Sequence, residues 1–225
     1  MMDDSLHPIV VPEMGLPGSE DAWLPHGISE CIDRVVIPAD AIAARVETLA
    51  DEISATYAAE GVLELTALVV LRGAFMFAAD LGRALVRAGR LELRAEFISV
   101  CTYGSDIKGV AETEREVRVN LSPEGLWGRH ILLVEDIVDQ GFTLARIQRI
   151  LEDEGAASVR ICSLLVKELQ NPSEEVQALR DSLIVNFAGF QIPDRWIVGY
   201  GTDADGQYRM LPHVCTVDES MVRGA

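Results

Sequence analysis

Lysine is almost missing from this chain: of its 19 basic residues only Lys108 and Lys167 are lysines, so each is worth examining. Positive charge is short altogether, with 36 Asp plus Glu against 19 Lys plus Arg and a net charge of -17. A surface that acidic repels duplex nucleic acid and anionic membrane unless a local basic patch overrides it, so neither is expected as a partner. Cysteine is sparse as well. Cys31, Cys101, Cys162 and Cys215 lie far apart, with no Cys-x-x-Cys pair and no histidine at zinc-finger spacing. They read as reduced thiols of a cytoplasmic protein. No stretch approaches the roughly 18 uncharged apolar residues of a membrane span. The N-terminus has no Lys or Arg before Arg34 and no charged-then-apolar leader pattern. What is present is ordinary: 225 residues, 49% apolar and 24% charged. That suits one α/β domain with a sizeable core, or two small domains at a stretch, and excludes disorder, collagen and coiled coil.

Residues 1–25 carry four prolines and little periodicity, and are expected to form an irregular arm before a domain over 26–225. Apolar residues at helical spacing (Ile42, Val46, Leu49, Ile53, Tyr57) predict a helix over 39–60 that stops at Gly61. The run 65–71, rich in β-branched residues, suits a strand buried on both faces. A helix over 75–89 and a strand over 91–103 follow, with Phe75, Phe77, Leu81 and Leu85 expected in the core. The polar stretch 104–114 separates that strand from another at 115–121. Strands at 130–136 and 158–168 flank a helix at 143–155. Strands alternating with crossover helices imply a mostly parallel sheet with right-handed connections. The short segments 183–190, 196–201 and 208–217 read as a small antiparallel lobe.

The segment Leu132–Thr143 carries the chemistry. A buried strand ends in Glu135 and Asp136; Asp139 follows, then Gly141, then Thr143 opening a helix. Ligands of open parallel sheets bind at the carboxyl ends of strands. A glycine-bearing loop feeding a helix N-terminus presents free N–H groups and the positive dipole end, which favour phosphate. Acids beside such a loop make sense if the ligand also carries hydroxyls or Mg2+, as a sugar phosphate does. Taken alone, the segment also reads as a solvated acidic turn with Asp139 capping a helix.

This segment resembles the signature of the type I phosphoribosyltransferases. Over roughly 28–217 the chain is similar to the hypoxanthine-guanine phosphoribosyltransferases, through four further blocks in that family's order: residues 69–81, 102–104, 163–168 and 189–214. The resemblance implies an α/β fold with a mostly parallel central sheet, flanking helices and a small antiparallel hood drawn mainly from 183–217. It implies transfer of phosphoribosyl from phosphoribosyl pyrophosphate to a 6-oxopurine base, with Mg2+ as cofactor, in a homodimer or homotetramer. On this likeness Glu135 and Asp136 hold the ribose hydroxyls, directly or through Mg2+, and Asp139 lies near purine N7 as general acid/base. Asp139, Gln140, Gly141, Phe142 and Thr143 cradle the 5′-phosphate. Lys167 donates to the 6-oxo group, Trp196 stacks on the base, and the Ile197 backbone meets its edge. Asp203 is a metal ligand; Arg72, Gly73 and Arg209 contact pyrophosphate; Thr102 and Tyr103 belong to a lid over 102–116. Gln140 and Phe142 stand where many relatives have a hydroxyl and a cation, Arg72 where many have Lys, Trp196 where Phe or Tyr is common, and Thr102 where Ser is. Two other readings are a xanthine-preferring enzyme and a nucleotide-sensing, RNA-binding regulator of the same fold. The regulator needs a basic face.

Overall fold

The computed structural model describes residues 7–25, 31–99 and 125–218. Thr102, Tyr103, the rest of 102–116 and the strand expected at 115–121 lie outside them.

Six strands form one all-parallel sheet. β1 (Ile9–Val10) is a two-residue edge piece; β3 (Glu64–Leu71), β4 (Glu92–Ser99), β5 (His130–Val138), β6 (Ser158–Glu168) and β7 (Val185–Pro193) make up the rest, in the order β1-β7-β6-β5-β3-β4. Side chains alternate across this sheet. Leu65 and Ala67 of β3 and Leu132 and Val134 of β5 face one core; Leu68, Val70, Ile131 and Leu133 face the other. Helices α1 (Ala39–Ala59) and α2 (Phe75–Ala88) cover the first face. Each does so with an apolar stripe, Ile42, Val46, Leu49, Ile53 and Tyr57 on α1 and Phe77, Leu81 and Leu85 on α2. Phe75 is only half-buried. Helix α3 (Phe142–Asp153) covers the second face with Leu144, Ile147 and Leu151.

The hood is a separate antiparallel sheet of β2 (Ile32–Ile37), β9 (Val214–Val217) and β8 (Ile197–Val198), in the order β2-β9-β8. It has its own small core of Ile32, Val35, Val198, Leu211, Cys215 and Val217. Two expectations are corrected here. Residues 183–190 do not join the hood: β7 pairs in parallel with β6 and belongs to the main sheet. Its residues Phe187 to Phe190 are buried in succession, which is the pattern of a central parallel strand and not of a half-exposed antiparallel one. Buried Arg45 of α1 donates to the Ala188 and Gly189 carbonyls and fixes the helix to β7. The strand expected over 208–217 shrinks to Val214–Val217, because 199–211 folds into tight turns with Tyr200, Asp205 and Tyr208 at positive φ. β2 and a fourth helix, α4 (Glu174–Ser182), were not anticipated.

The strand order places the site. From β3 the chain crosses outward to β4, then returns to the other side of β3 as β5 before proceeding to β6 and β7. The winding therefore reverses between β3 and β5, and the carboxyl ends of those two strands open a crevice.

Candidate active site

β5 delivers Glu135 and Asp136 to that crevice, 7% and 9% exposed. The Asp136 N–H donates to Glu135 Oε1 at 3.1 Å, and the Ile137 N–H to Asp136 Oδ1 at 2.9 Å. Burial, and then the neighbouring Asp136 charge, push the Glu135 carboxyl well above the usual range. Burial also raises Asp136. Two buried carboxyls side by side resist joint ionisation, so the pair is set to receive a cation or hydroxyl donors. The turn after β3 closes on it. The Leu71-Arg72 peptide is cis, and Gly73 comes so near that a Cβ there would lie 1.7 Å from Asp136 Oδ2. Gly201 in turn meets the Gly73 carbonyl, where its Cβ would be 2.0 Å away. Three segments distant in sequence converge, and each close approach requires the missing side chain.

Past the pair, Asp139 and Gln140 lead to Gly141 at φ 94°, which turns the chain into α3 with no side-chain cap. The first-turn amides of α3 therefore receive no side-chain acceptor from the cap position. Val70 and residues 135–144 line a cavity of about 240 Å³ there. The apolar Phe142 contributes no charge to it.

A second cavity, about 220 Å³, is lined by Asp136, Ile137, Asp139, Lys167, Trp196, Ile197, Thr202 and Asp203. Lys167, at the end of β6, has a side chain only 12% exposed; its Nζ donates to Asp139 Oδ2 at 3.0 Å, with Asp194 Oδ1 at 3.8 Å. Trp196 is half-exposed and, alone among the three tryptophans, lines this cavity, where its indole offers a flat apolar wall. Across the mouth, Arg209 pairs with Asp203 at 2.6 Å and donates to the Gly201 carbonyl. Arg72 is exposed on the turn beside Gly73. The structure thus groups Glu135, Asp136 and residues 139–143 around one cavity and Lys167, Trp196, Ile197 and Asp203 around an adjoining one, with Gly73 packed on Asp136. Two contributors escape the sequence reading. Asp194, inside the Ile-Pro-Asp of residues 192–194, sits against Lys167. Arg180 of α4 donates to the Asp139 carbonyl at 3.0 Å.

Comparison with known proteins settles the family. The model of the phosphoribosyl transferase domain matches residues 38–204. A hypoxanthine phosphoribosyltransferase of Haemophilus influenzae is 34% identical over 181 residues, 80% of this chain and 92% of that one. The chain belongs to the hypoxanthine-guanine phosphoribosyltransferase family. Among solved structures, a hypoxanthine-guanine phosphoribosyltransferase of Schistosoma mansoni in complex with IMP superposes with a TM-score of 0.75 at 28% identity, covering 96% of this chain and 98% of that one. A Trypanosoma cruzi hypoxanthine phosphoribosyl transferase, studied for the role of its C-terminal region in oligomeric state and enzymatic activity, gives 0.72 at 28% identity over 86% of this chain and 95% of that one. Family membership fits the sheet reversal, the acid pair and the uncapped loop, all of which lie inside the matched segment.

Proposed function

We propose that this protein transfers the 5-phosphoribosyl group of phosphoribosyl pyrophosphate to N9 of hypoxanthine or guanine, giving the nucleoside monophosphate and pyrophosphate. One observation carries the reading: the amide-lined cavity and the Lys167–Trp196 cavity share Asp136, Ile137 and Asp139, so a phosphate in one and a flat base in the other are joined across the acid pair. A nucleotide has that layout. The loop 139–143 holds the 5′-phosphate through backbone N–H groups, while Glu135 and Asp136 accept from the ribose hydroxyls. Trp196 stacks on the base. Lys167 donates to a 6-oxo group and has nothing to donate to in a 6-aminopurine.

In the reaction the C1–O bond to pyrophosphate breaks, the bond from purine N9 to C1 forms, and the base loses a proton. Asp139, already within hydrogen-bond reach of Lys167, sits at the junction where that proton leaves and accepts it near N7. A base carbonyl entering beside Lys167 takes over part of the bond that Asp139 now receives, which frees the carboxylate for the proton. Arg72, Arg209 and the Gly73 backbone receive the departing pyrophosphate. Among the described residues no three His, Cys, Asp or Glu side chains gather to hold a metal on their own. Two buried carboxyls offering hard oxygen donors do fit Mg2+, which takes most of its ligands from substrate and water. We assign Glu135 and Asp136, with Asp203 across the cavity, as the residues that would hold it; the chemistry a bound Mg2+ would supply is neutralisation of charge on the leaving pyrophosphate.

The catalytic reading is favoured over a nucleic-acid-binding regulator because Lys167 and Asp203 are retained at the cavity and the net charge is -17. We also propose a homodimer or homotetramer, in line with the T. cruzi relative, whose oligomeric state has been examined. Purified protein mixed with phosphoribosyl pyrophosphate, Mg2+ and each purine in turn tests the function by absorbance. Hypoxanthine or guanine should be consumed and adenine should not. Turnover of no oxopurine would refute the proposal.

A further inference from the structure

We propose that Arg180 is a positioning residue of the 5′-phosphate site, supplying from α4 the positive charge that the phosphate loop itself lacks. This rests on the reading of residues 139–143 as that site. The loop runs Asp-Gln-Gly-Phe-Thr, with no cation, and carries an acid. Behind it α4 is capped by Ser173, whose Oγ accepts from the Val176 N–H, and brings Arg180 round in its last turn. The Arg180 guanidinium donates through Nη1 to the carbonyls of Asp139 (3.0 Å) and Val138 (3.3 Å), and through Nη2 to the carbonyl of Lys167 (3.2 Å). One planar group therefore ties the start of the phosphate loop to the strand end that carries the base-facing lysine. The helix also seats the loop's turn: a Cβ on Gly141 would lie 3.1 Å from Leu183 Cδ2 and 3.5 Å from Arg180 Cδ.

Structural anchoring alone would be served by any donor. The charge is the informative part. Arg180 is half-buried, and among the described residues its hydrogen bonds go to backbone carbonyls, with no carboxylate within ion-pair distance. Burial weakens the charged form and the Asp139 charge supports it. In a protein of net charge -17, a guanidinium that among the described residues has no carboxylate within ion-pair distance, only the more distant Asp139 charge, keeps part of its field for a ligand in the amide-lined cavity beside it. A 5′-phosphate dianion in that cavity is the ligand that uses it, because a buried-side cation is screened less than one on the open surface. The α4 segment thus makes good the charge that Phe142 leaves out.

The test compares Arg180→Lys, which keeps the charge, with Arg180→Gln, which keeps an N–H donor without charge. Kd for inosine monophosphate by calorimetry, KM for phosphoribosyl pyrophosphate and the melting temperature are measured for both variants and the parent. Arg180→Gln should weaken both phosphate-bearing ligands by about tenfold or more, the scale of one partly screened charge near a dianion. The loss should fall on Kd and KM rather than on kcat. Arg180→Lys should recover to within about threefold of the parent. The proposal is overturned if Arg180→Gln binds both ligands as the parent does. It is equally overturned if Lys and Gln variants are weakened alike, which would make the residue an anchor only. A parent with no transferase activity would instead defeat the function reading, while the Kd comparison would still report on Arg180.

Discussion

Replacing Gly73 by alanine puts a methyl group where the structure has a carboxylate. The new Cβ would stand 1.7 Å from Asp136 Oδ2, 2.4 Å from Cγ and 2.8 Å from Oδ1. The Asp136 carboxyl must withdraw by about 1.5 Å or more to reach ordinary contact. It can do so by rotating, since it is the tip of a short side chain and not backbone, so the fold should survive. The rotation breaks the 2.9 Å bond from the Ile137 N–H to Oδ1, at a cost of about 1–3 kcal/mol. Separating two crowded acids offsets part of that. Activity has no such offset, because a displacement of about 1 Å in a positioning group costs on the order of 100-fold. Gly73→Ala should therefore lose about 100-fold in kcat/KM with a melting temperature within a few degrees of the parent. Gly82→Ala is the control: a Cβ there meets only Leu93 Cδ2 at 3.7 Å, and alanine in the middle of α2 should stabilise by up to about 1 kcal/mol with full activity. If Gly73→Ala keeps kcat/KM within threefold of the parent, the placement of Asp136 in the chemistry is wrong.

Other perturbations separate the roles. Lys167→Met should lower kcat/KM for hypoxanthine by roughly 10- to 100-fold, the worth of a charge-assisted bond of about 1.5–3 kcal/mol; unchanged efficiency in steady-state assays would contradict the 6-oxo contact. Asp139→Asn should depress kcat by about 100-fold or more with far less effect on substrate KM, and an unchanged kcat would remove its acid/base role. The acid pair also sets a pH dependence. Both carboxyls have raised pKa values in the folded state, so between the ordinary 4.5 of a glutamate and the raised folded value the native protein binds more protons than the unfolded chain. Stability then falls as pH rises through that interval. Without Mg2+, melting temperatures scanned from pH 4.5 to 8 should fall more in the parent than in Glu135→Gln, and parallel curves would refute the burial argument. Adding Mg2+ should raise the parent's melting temperature most at the alkaline end, where the pair is ionised.

The sequence disclosed the parts of this protein whose physics is local. The run 65–71 and the run 130–136, with Ile131 to Val134 all apolar, announce buried parallel strands, and a 3.6-residue stripe announces α1 and α2. The acid pair and the glycine turn were legible for the same reason, as one short strand–loop–helix unit. What escaped depends on contacts remote in the chain. β7 was misplaced because a run buried on both faces and a short hood strand look alike until pairing partners are known. β2 is a six-residue strand whose partner β9 lies about 180 residues away. α4 had a readable start, Ser173 followed by Glu174 and Glu175, but a weak stripe in which only Val176 is buried. The need for glycine at 73 and 201 follows from close approaches that no local pattern contains. Asp194 and Arg180 gain meaning only because β6 ends beside both.

The central claim is that one nucleotide spans the two adjoining cavities across the acid pair. A crystal structure with inosine monophosphate and Mg2+ tests it most directly. The account predicts phosphate oxygens on the amides of residues 139–143, ribose hydroxyls on Glu135 and Asp136, and the purine on Trp196 with its 6-oxygen toward Lys167. A nucleotide bound elsewhere, or a purine ring turned away from Lys167, would contradict it.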